Sequence, residues 1–534
     1  MTLLQAKALA GTQIASPSTS DRVLRSFAVR TEAAGHDAFT PAPGQFDNGD
    51  EARYADKSGT YTKGILQTDV GLVDLAAYET FKRALNSGDP ADFEAITIGG
   101  SKTLNGPQGG LAFDLECLDS SQFMSPPAPA VSSEAYAAEL VELYWAALLR
   151  DVAFADYPSN PLAMQAADEL TSLLPKFPFP VDAVTKKVTP QMLFRGGFRD
   201  EEKGPYISQF LLKGTVMGAL TIDQKYTTLM ANKDYMLDPG TFLKVQNGKP
   251  TGEKLIPGEQ LYLHDGRGLA AYTHDDVLYQ AYLMAYLVLH AIGGGDPRPF
   301  NPQSANLNPG NPYYKKSKIQ NGFGTFGQPD IASTLAAVAS EALKAVWYQK
   351  WYVHLRHRPE SGGALVHLIK TGMGNKIQAH PTDTVLSSKA VKASFDKYKT
   401  YLLPQAFPEG SPTHPAYPTG HGAVAGACIT VLKFFFDGEF EIPDPKVPSS
   451  DGKSLLPYNG KLKVNGELNK LAHNISFGHG IHAGIHWRTD TDASLLLGEA
   501  VALSVLRNRA HTYNEKFTAA LQKLDGSTAV ITNE

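Results

Sequence analysis

The stretch Pro415-Ala416-Tyr417-Pro418-Thr419-Gly420-His421, with His414 before it, closes a proline-rich loop and opens an apolar run that reaches Phe435. A hydroxyl, a glycine amide and an imidazole in succession can wrap a tetrahedral oxyanion, donating from side chain and backbone while the histidine handles protons. The run that follows predicts a helix over about 419–435. The Thr-Gly-His amides then sit at a helix N-terminus, where exposed N–H groups and the helix dipole favour an anion.

Two more clusters fit the same ligand. Upstream, Lys350-Trp351-Tyr352-Val353-His354-Leu355-Arg356-His357-Arg358-Pro359-Glu360 carries Lys350 as a compact point charge and Arg358 as a planar fork, the pair of cations that an anion of the size of phosphate or vanadate requires. Downstream lies His479-Gly480-Ile481-His482-Ala483-Gly484-Ile485-His486, with Asp490 four residues beyond it. Taken alone, His486 beside Trp487 and Arg488 would read as a satisfied buried imidazole, His414 as a loop residue and Lys350 as a solvated lysine. The three clusters together point to one oxyanion site.

These motifs resemble those of the vanadium-dependent haloperoxidases, and through them the superfamily shared with type 2 phosphatidic acid phosphatases and bacterial nonspecific acid phosphatases. The superfamily signature is a Lys followed by Arg-Pro, then Pro-Ser-Gly-His, then an Arg six residues before a His with an Asp four after it. Lys350 with Arg358-Pro359 is similar to the first part, with the longer spacing of the algal bromoperoxidases and their bacterial relatives; Pro418-Thr419-Gly420-His421 is similar to the second, and His486 with Asp490 to the third. Lys203-Gly204-Pro205-Tyr206-Ile207-Ser208-Gln209-Phe210 and Asn474-Ile475-Ser476-Phe477-Gly478 also look like this family, so the resemblance spans about residues 190–510.

The resemblance implies an all-α, vanadium haloperoxidase-like helical bundle with minor β hairpins. His486 would coordinate vanadate and be its metal ligand, and Lys350, Arg358, Thr419 and the Gly420 amide would compensate its oxygens. His421 would act as acid and base, His414 would tune the anion's protonation or halide access, and Asp490 would orient an imidazole. Vanadium would stay pentavalent as a Lewis acid while Lys350 polarises the peroxide, and halide attack would yield a hypohalous equivalent. The implied partners are hydrogen peroxide, bromide or chloride and a small organic substrate, with a homodimer as the assembly. Phosphate could occupy the same site, where His486 would attack phosphorus and the chain would be a phosphatase. A non-oxidative acid/base rearrangement or cyclisation enzyme is the runner-up, since bacterial relatives use the scaffold that way.

Two departures stand out. Thr419 replaces the usual serine but keeps its hydroxyl. Gly480 stands where the second arginine belongs. His479 and His482 lie seven and four residues before His486; on a continuous helix over 479–510 both would share its face, and either could donate in the arginine's place.

The rest of the chain fits an enzyme. With 534 residues and 43% hydrophobic content it can bury a large core. A formal charge of −5 offers no nucleic-acid surface. Two cysteines, Cys117 and Cys428, make no disulfide framework, and Cys428 reads as a buried helix residue. The first ten residues lack the pattern of a signal peptide and no stretch reaches transmembrane length, so a cytoplasmic protein with no membrane contact is expected. We divide the chain into a peripheral segment 1–90, suited to packing or subunit contact, a helical part 91–325 and a catalytic helical part 326–534. Helices are expected over 133–149, 161–173, 274–292 and 331–355, with one hairpin in an excursion over 211–262 and a short hairpin within 447–468.

Overall fold

Glycines 422 and 426 and their neighbours explain how the central helices come together. The computed structural model describes residues 19–293, 306–314 and 317–534, and the expectation over the first ten residues lies outside them. The helices that matter here are α1 (Thr19–Phe39), α2 (Glu134–Leu149), α3 (Gly266–Tyr272), α4 (Gln280–Ile292), α5 (Gln328–Tyr348), α6 (Pro359–Lys370), α7 (Gly420–Phe435), α8 (Val464–Phe477) and α9 (Arg488–Ala510). Helix α7 is apolar on every side and buried along its whole length, as a helix without a polar face must be. It packs on α5, α8 and α9. A Cβ on Gly426 would lie 2.0 Å from the Leu495 carbonyl oxygen, and one on Gly498 2.0 Å from that of Ala423. Only glycine at these positions lets the backbones of α7 and α9 approach so closely.

The fold is the expected all-α bundle, and its strands form only five two-stranded antiparallel pairs among the described residues. Two of these pairs, Thr215–Met217 with Leu220–Ile222 and Tyr226–Leu229 with Pro257–Leu261, fill the 211–262 excursion where one hairpin was expected. The hairpin of Lys446–Pro448 and Leu455–Pro457 begins one residue before the second excursion, and α8 takes up its last residues from Val464 onward, which were expected to lie outside a helix. One apolar core runs from Tyr54 to Ile531. A smaller core seats Tyr61 and Phe81 on Trp351 and so fixes the N-terminal part against the site end of the bundle. Cys428 is buried on α7, and both cysteines are free. No helix of the described residues is long and apolar enough to cross a membrane.

Three of the helix boundaries that differ from expectation lie at the site. Helix α4 starts at Gln280, so residues 273–279 form a loop before it. Helix α5 ends at Tyr348 and winds into a π turn, Gln349–His354, closed by Leu355 in the left-handed region (φ 45°). Helix α9 begins only at Arg488, after a π turn over Gly478–His482 and a loop in which Gly484 takes φ 84°. Periodicity registers apolar spacing but not a widened turn, and π turns of this kind gather at functional sites.

Candidate active site

The π turn after α5 buries Lys350 completely, and its Nζ donates to the carbonyls of Pro415 and Ala416, each at 2.8 Å. Lys350 thereby holds the loop that delivers Thr419 and His421. Burial, with Arg358 beside it, keeps the ammonium pKa well below its usual value. Arg358 opens α6 from its N-cap position. Its Nε donates to the His414 carbonyl (3.0 Å), Nη1 to the Ile485 carbonyl (2.9 Å) and to His486 Nε2 (2.7 Å), and Nη2 faces the His414 ring, 3.0 Å from Nδ1 and 3.3 Å from Nε2. Burial lowers this guanidinium to about 10.

Because Arg358 donates to Nε2, the His486 proton resides on Nδ1, which donates to Asp490 Oδ2 at 2.8 Å. The Trp487 amide donates to the same carboxylate oxygen (3.1 Å), and Arg356 Nη1 donates to the other, Oδ1 (2.7 Å). Arg356 is held in turn by Glu139 of α2 (3.0 Å). The tautomer of His486 is thus set by a carboxylate anchored from three sides, and its Nε2 lone pair faces the cation. Burial, then Arg358 and Lys350, hold the His486 pKa well below the ordinary histidine range, so the imidazole is neutral and able to coordinate.

Thr419 caps no amide of α7, and its buried Oγ1 has no partner among the described groups. A buried hydroxyl without a partner at a helix N-terminus, beside two cations and an imidazole lone pair, suits an oxyanion that accepts hydrogen bonds on several sides and takes one bond from nitrogen. Gly420 lies so close to Trp347 that a Cβ there would meet its ring at 3.2 Å. The Trp347 ring stands 4.8 Å from His414. Burial, Arg358 and Lys350 together push the His414 pKa well down.

His421, in the first turn of α7, donates from Nε2 to Asp276 Oδ1 (2.9 Å) and stacks on His479 at 3.7 Å. His479 lies 5.5 Å from His486, ring to ring, with its Nδ1 3.3 Å from the Thr273 carbonyl. The structure therefore brings together Lys350, Arg358, His414, Thr419, Gly420, His421, His479, His486 and Asp490. His482 is placed elsewhere. Its Nε2 meets Tyr206 Oη (3.0 Å) and its ring packs edge-on to Phe154 and Phe194. The i,i+4 spacing that suggested a shared face with His486 assumed a continuous helix, and the π turn with Gly484 turns the His482 ring into the core instead.

The VCPO second helical-bundle domain matches residues 330–515. The vanadium-dependent bromoperoxidase of Corallina pilulifera is 33% identical, with 97% of this chain and 100% of the relative covered. That of Ascophyllum nodosum is 34% identical over 95% of this chain and 92% of its own length. The chain belongs to the vanadium-dependent haloperoxidase family. The fold agrees throughout: a second vanadate-dependent bromoperoxidase of A. nodosum, described as homohexameric, superposes with a TM-score of 0.88 at 26% identity, covering 99% of this chain and 96% of that one.

Within this haloperoxidase framework the sequence reading missed Asp276 and Arg356. Asp276 sits in the loop that was expected to be helix, with no motif around it. Arg356 lies inside the quoted Lys350 tract, but only folding shows that it serves Asp490 while Arg358 serves His486. The placement of His482 gives a prediction. His482→Ala should leave vanadate affinity and turnover at wild-type levels while destabilising the fold by about 2 kcal/mol or more through a cavity among Phe154, Phe194 and Tyr206. Vanadate titration beside chemical denaturation checks both parts.

Proposed function

We propose that this chain is a vanadium-dependent haloperoxidase that oxidises bromide or chloride with hydrogen peroxide and so halogenates a small organic substrate, and that it works as a homo-oligomer built on a dimer. The observation that carries this reading is His486, held neutral with its proton on Nδ1 by Asp490 and its Nε2 turned toward Arg358. His486 would hold vanadate; Lys350, Arg358, Thr419 Oγ1 and the Gly420 amide would share the anion's oxygens. Bound vanadate supplies a Lewis-acidic centre that activates peroxide without a change in its own oxidation state. His421, paired with Asp276, would move the protons that peroxide binding and product release require. His479, stacked on His421 at 3.7 Å and 5.5 Å from His486, is the histidine of the pair that could donate in place of the arginine missing at Gly480. A Cβ on Gly480 would meet His486 Cβ at 3.2 Å, so this turn has little room for a larger residue.

Asp276→Ala is expected to lower the bromination rate by about 10²–10⁴-fold while orthovanadate still binds, because Asp276 orients His421 and makes no hydrogen bond to Lys350, Arg358, Thr419 or His486. A rate within two-fold (about 0.4 kcal/mol) of wild type would remove Asp276 from the reaction.

The activity itself is tested by stripping bound phosphate from the purified protein, reloading with orthovanadate and following bromide-dependent bromination with hydrogen peroxide. Turnover that appears only with vanadate and is competed by phosphate is expected. Vanadate binding without halide oxidation would favour phosphoryl transfer. No vanadate binding at all would favour acid/base catalysis by His421 without a metal, the reading that Gly480 supports.

A further inference from the structure

Lys63 stands in the N-terminal part that the sequence assigned to packing or subunit contact, yet it is 3% exposed and its ammonium is fully engaged. Nζ donates to Glu360 Oε1 (2.6 Å) and to the carbonyls of Glu409 (2.8 Å) and Ser411 (2.6 Å), with Ser411 Oγ at 3.1 Å as well. These oxygens leave none of the three N–H groups of the ammonium free. Glu360, 1% exposed, is just as engaged. Its Oε1 also accepts from Gln246 Nε2 (2.8 Å) and Ser411 Oγ (2.9 Å), and its Oε2 accepts from the Ser411 amide (2.7 Å). Burial pulls the Lys63 pKa down to about 8 against the opposing charge of Glu360. Burial also works to raise the Glu360 carboxyl, but Lys63, the Ser411 amide and Gln246 together outweigh it, so both partners are charged at neutral pH.

The pair joins two parts of the anion site. Glu360 lies in the first turn of α6, two residues after Arg358, and Ser411 lies three residues before His414. The loop that carries His414 is therefore fastened to the helix that carries Arg358 within a turn of the guanidinium, which donates to the His414 carbonyl and faces its ring. Gly410 takes φ 60°, and a Cβ there would collide with Glu360 Oε2, so only glycine lets the loop pass this close to the carboxylate. Just before Lys63, Thr60 Oγ1 and the Tyr61 amide both donate to the Leu355 carbonyl, each at 2.8 Å. Leu355 closes the π turn that carries Lys350. Glu409, whose carbonyl Lys63 holds, pairs through its carboxylate with His274 Nε2 (2.6 Å) in the loop that supplies Asp276. Segment 60–63 thus meets, directly or through one residue, the elements that bear Lys350, Arg358, His414 and Asp276.

A buried ion pair adds little stability over apolar side chains of the same volume, because desolvation offsets the attraction. What this pair supplies is direction, since its hydrogen bonds fix where residues 409–411 lie relative to α6. We propose that Lys63 is a positioning residue of the anion site, which through Glu360 and Ser411 sets the placement of His414 and so the aim of Arg358. The inference rests on the anion site proposed above and extends its supporting groups into the N-terminal part of the chain. Lys63 makes no hydrogen bond to Arg358, Thr419 or His486. Its effect on a bound anion therefore has two sources that can be separated, the placement of the loop and the positive charge itself.

The test is equilibrium binding of orthovanadate to the full-length protein, followed by vanadium-51 magnetic resonance, for wild type, Lys63→Met, Lys63→Met/Glu360→Met and Lys470→Met. The double variant keeps the net charge and leaves neither partner charged and alone, so it carries the test should the single variant fail to fold. Lys470 is a comparable buried lysine whose bonds go to Glu467 and the Lys203 carbonyl, outside the anion site. Both Lys63 variants should bind vanadate about 10–100-fold more weakly and shift the resonance of the bound anion, while Lys470→Met binds as wild type does. Wild-type affinity in the double variant would overturn the proposal, because charge and not placement would then account for any loss in Lys63→Met. An equal loss in Lys470→Met would overturn it too, since any buried lysine would then serve. A wild-type protein that binds no orthovanadate would take down the anion site and the positioning role together, whereas tight binding by wild type and by both Lys63 variants would end the positioning role alone.

Discussion

Orthovanadate should no longer bind once His486 is replaced by alanine, and vanadate-dependent bromination should fall to the level of buffer. The residue contributes a neutral nitrogen whose lone pair is aimed into the cation cluster, with Arg358 Nη1 at 2.7 Å. Removing a partner that merely orients a metal ligand costs about 10–100-fold in affinity; removing the ligand removes the coordinate bond as well. Arg358 keeps its bonds to the His414 and Ile485 carbonyls in the variant, so the cluster should hold its shape and the loss should be specific. Equilibrium binding of orthovanadate, read by vanadium-51 magnetic resonance, is the decisive measurement. Retained binding at wild-type affinity would take His486 out of the site.

Asp490→Ala should harm both binding and the fold. The carboxylate is fully buried and pairs with Arg356 at 2.7 Å on one oxygen and with His486 at 2.8 Å on the other. Burial raises its pKa, and Arg356 works against that rise to keep it charged. Truncation leaves Arg356 buried with Glu139 as its remaining carboxylate beside the Thr489 hydroxyl, and breaking a buried pair of this kind costs about 3–5 kcal/mol. It also frees the His486 ring to take either tautomer, so vanadate affinity should drop by about 10–100-fold. Chemical denaturation and vanadate titration of the same variant give both numbers. A variant as stable as wild type would mean that water or a neighbouring group compensates Arg356, and unchanged affinity would show that the tautomer is set elsewhere.

The two variants depend on residues that differ in how readily sequence exposes them. His486, Asp490, Arg358 and Lys350 were legible because their spacing in three ordered motifs is itself the signal. Asp276 was not legible. It follows His274 and Asp275 in a segment whose apolar pattern runs into α4, and nothing in that pattern tells a loop from a first helical turn. Arg356 was hidden for another reason. It stands two residues from Arg358, and their opposite duties depend on which way the π turn and Leu355 direct each side chain.

The helix that starts at Gly420 is legible in apolar periodicity, and the all-α bundle and the expectation of an oxyanion site come from the family resemblance that motif order carries, because periodicity and motif order are one-dimensional properties of the chain. The tertiary structure alone decided that His479 lies beside His421 and His486 while His482 packs in the core, and that Asp276 partners His421. Each of these turns on a local departure from regular helix or on groups far apart in the chain meeting in space. A widened turn at Gly478–His482 reverses the fate of two histidines three residues apart.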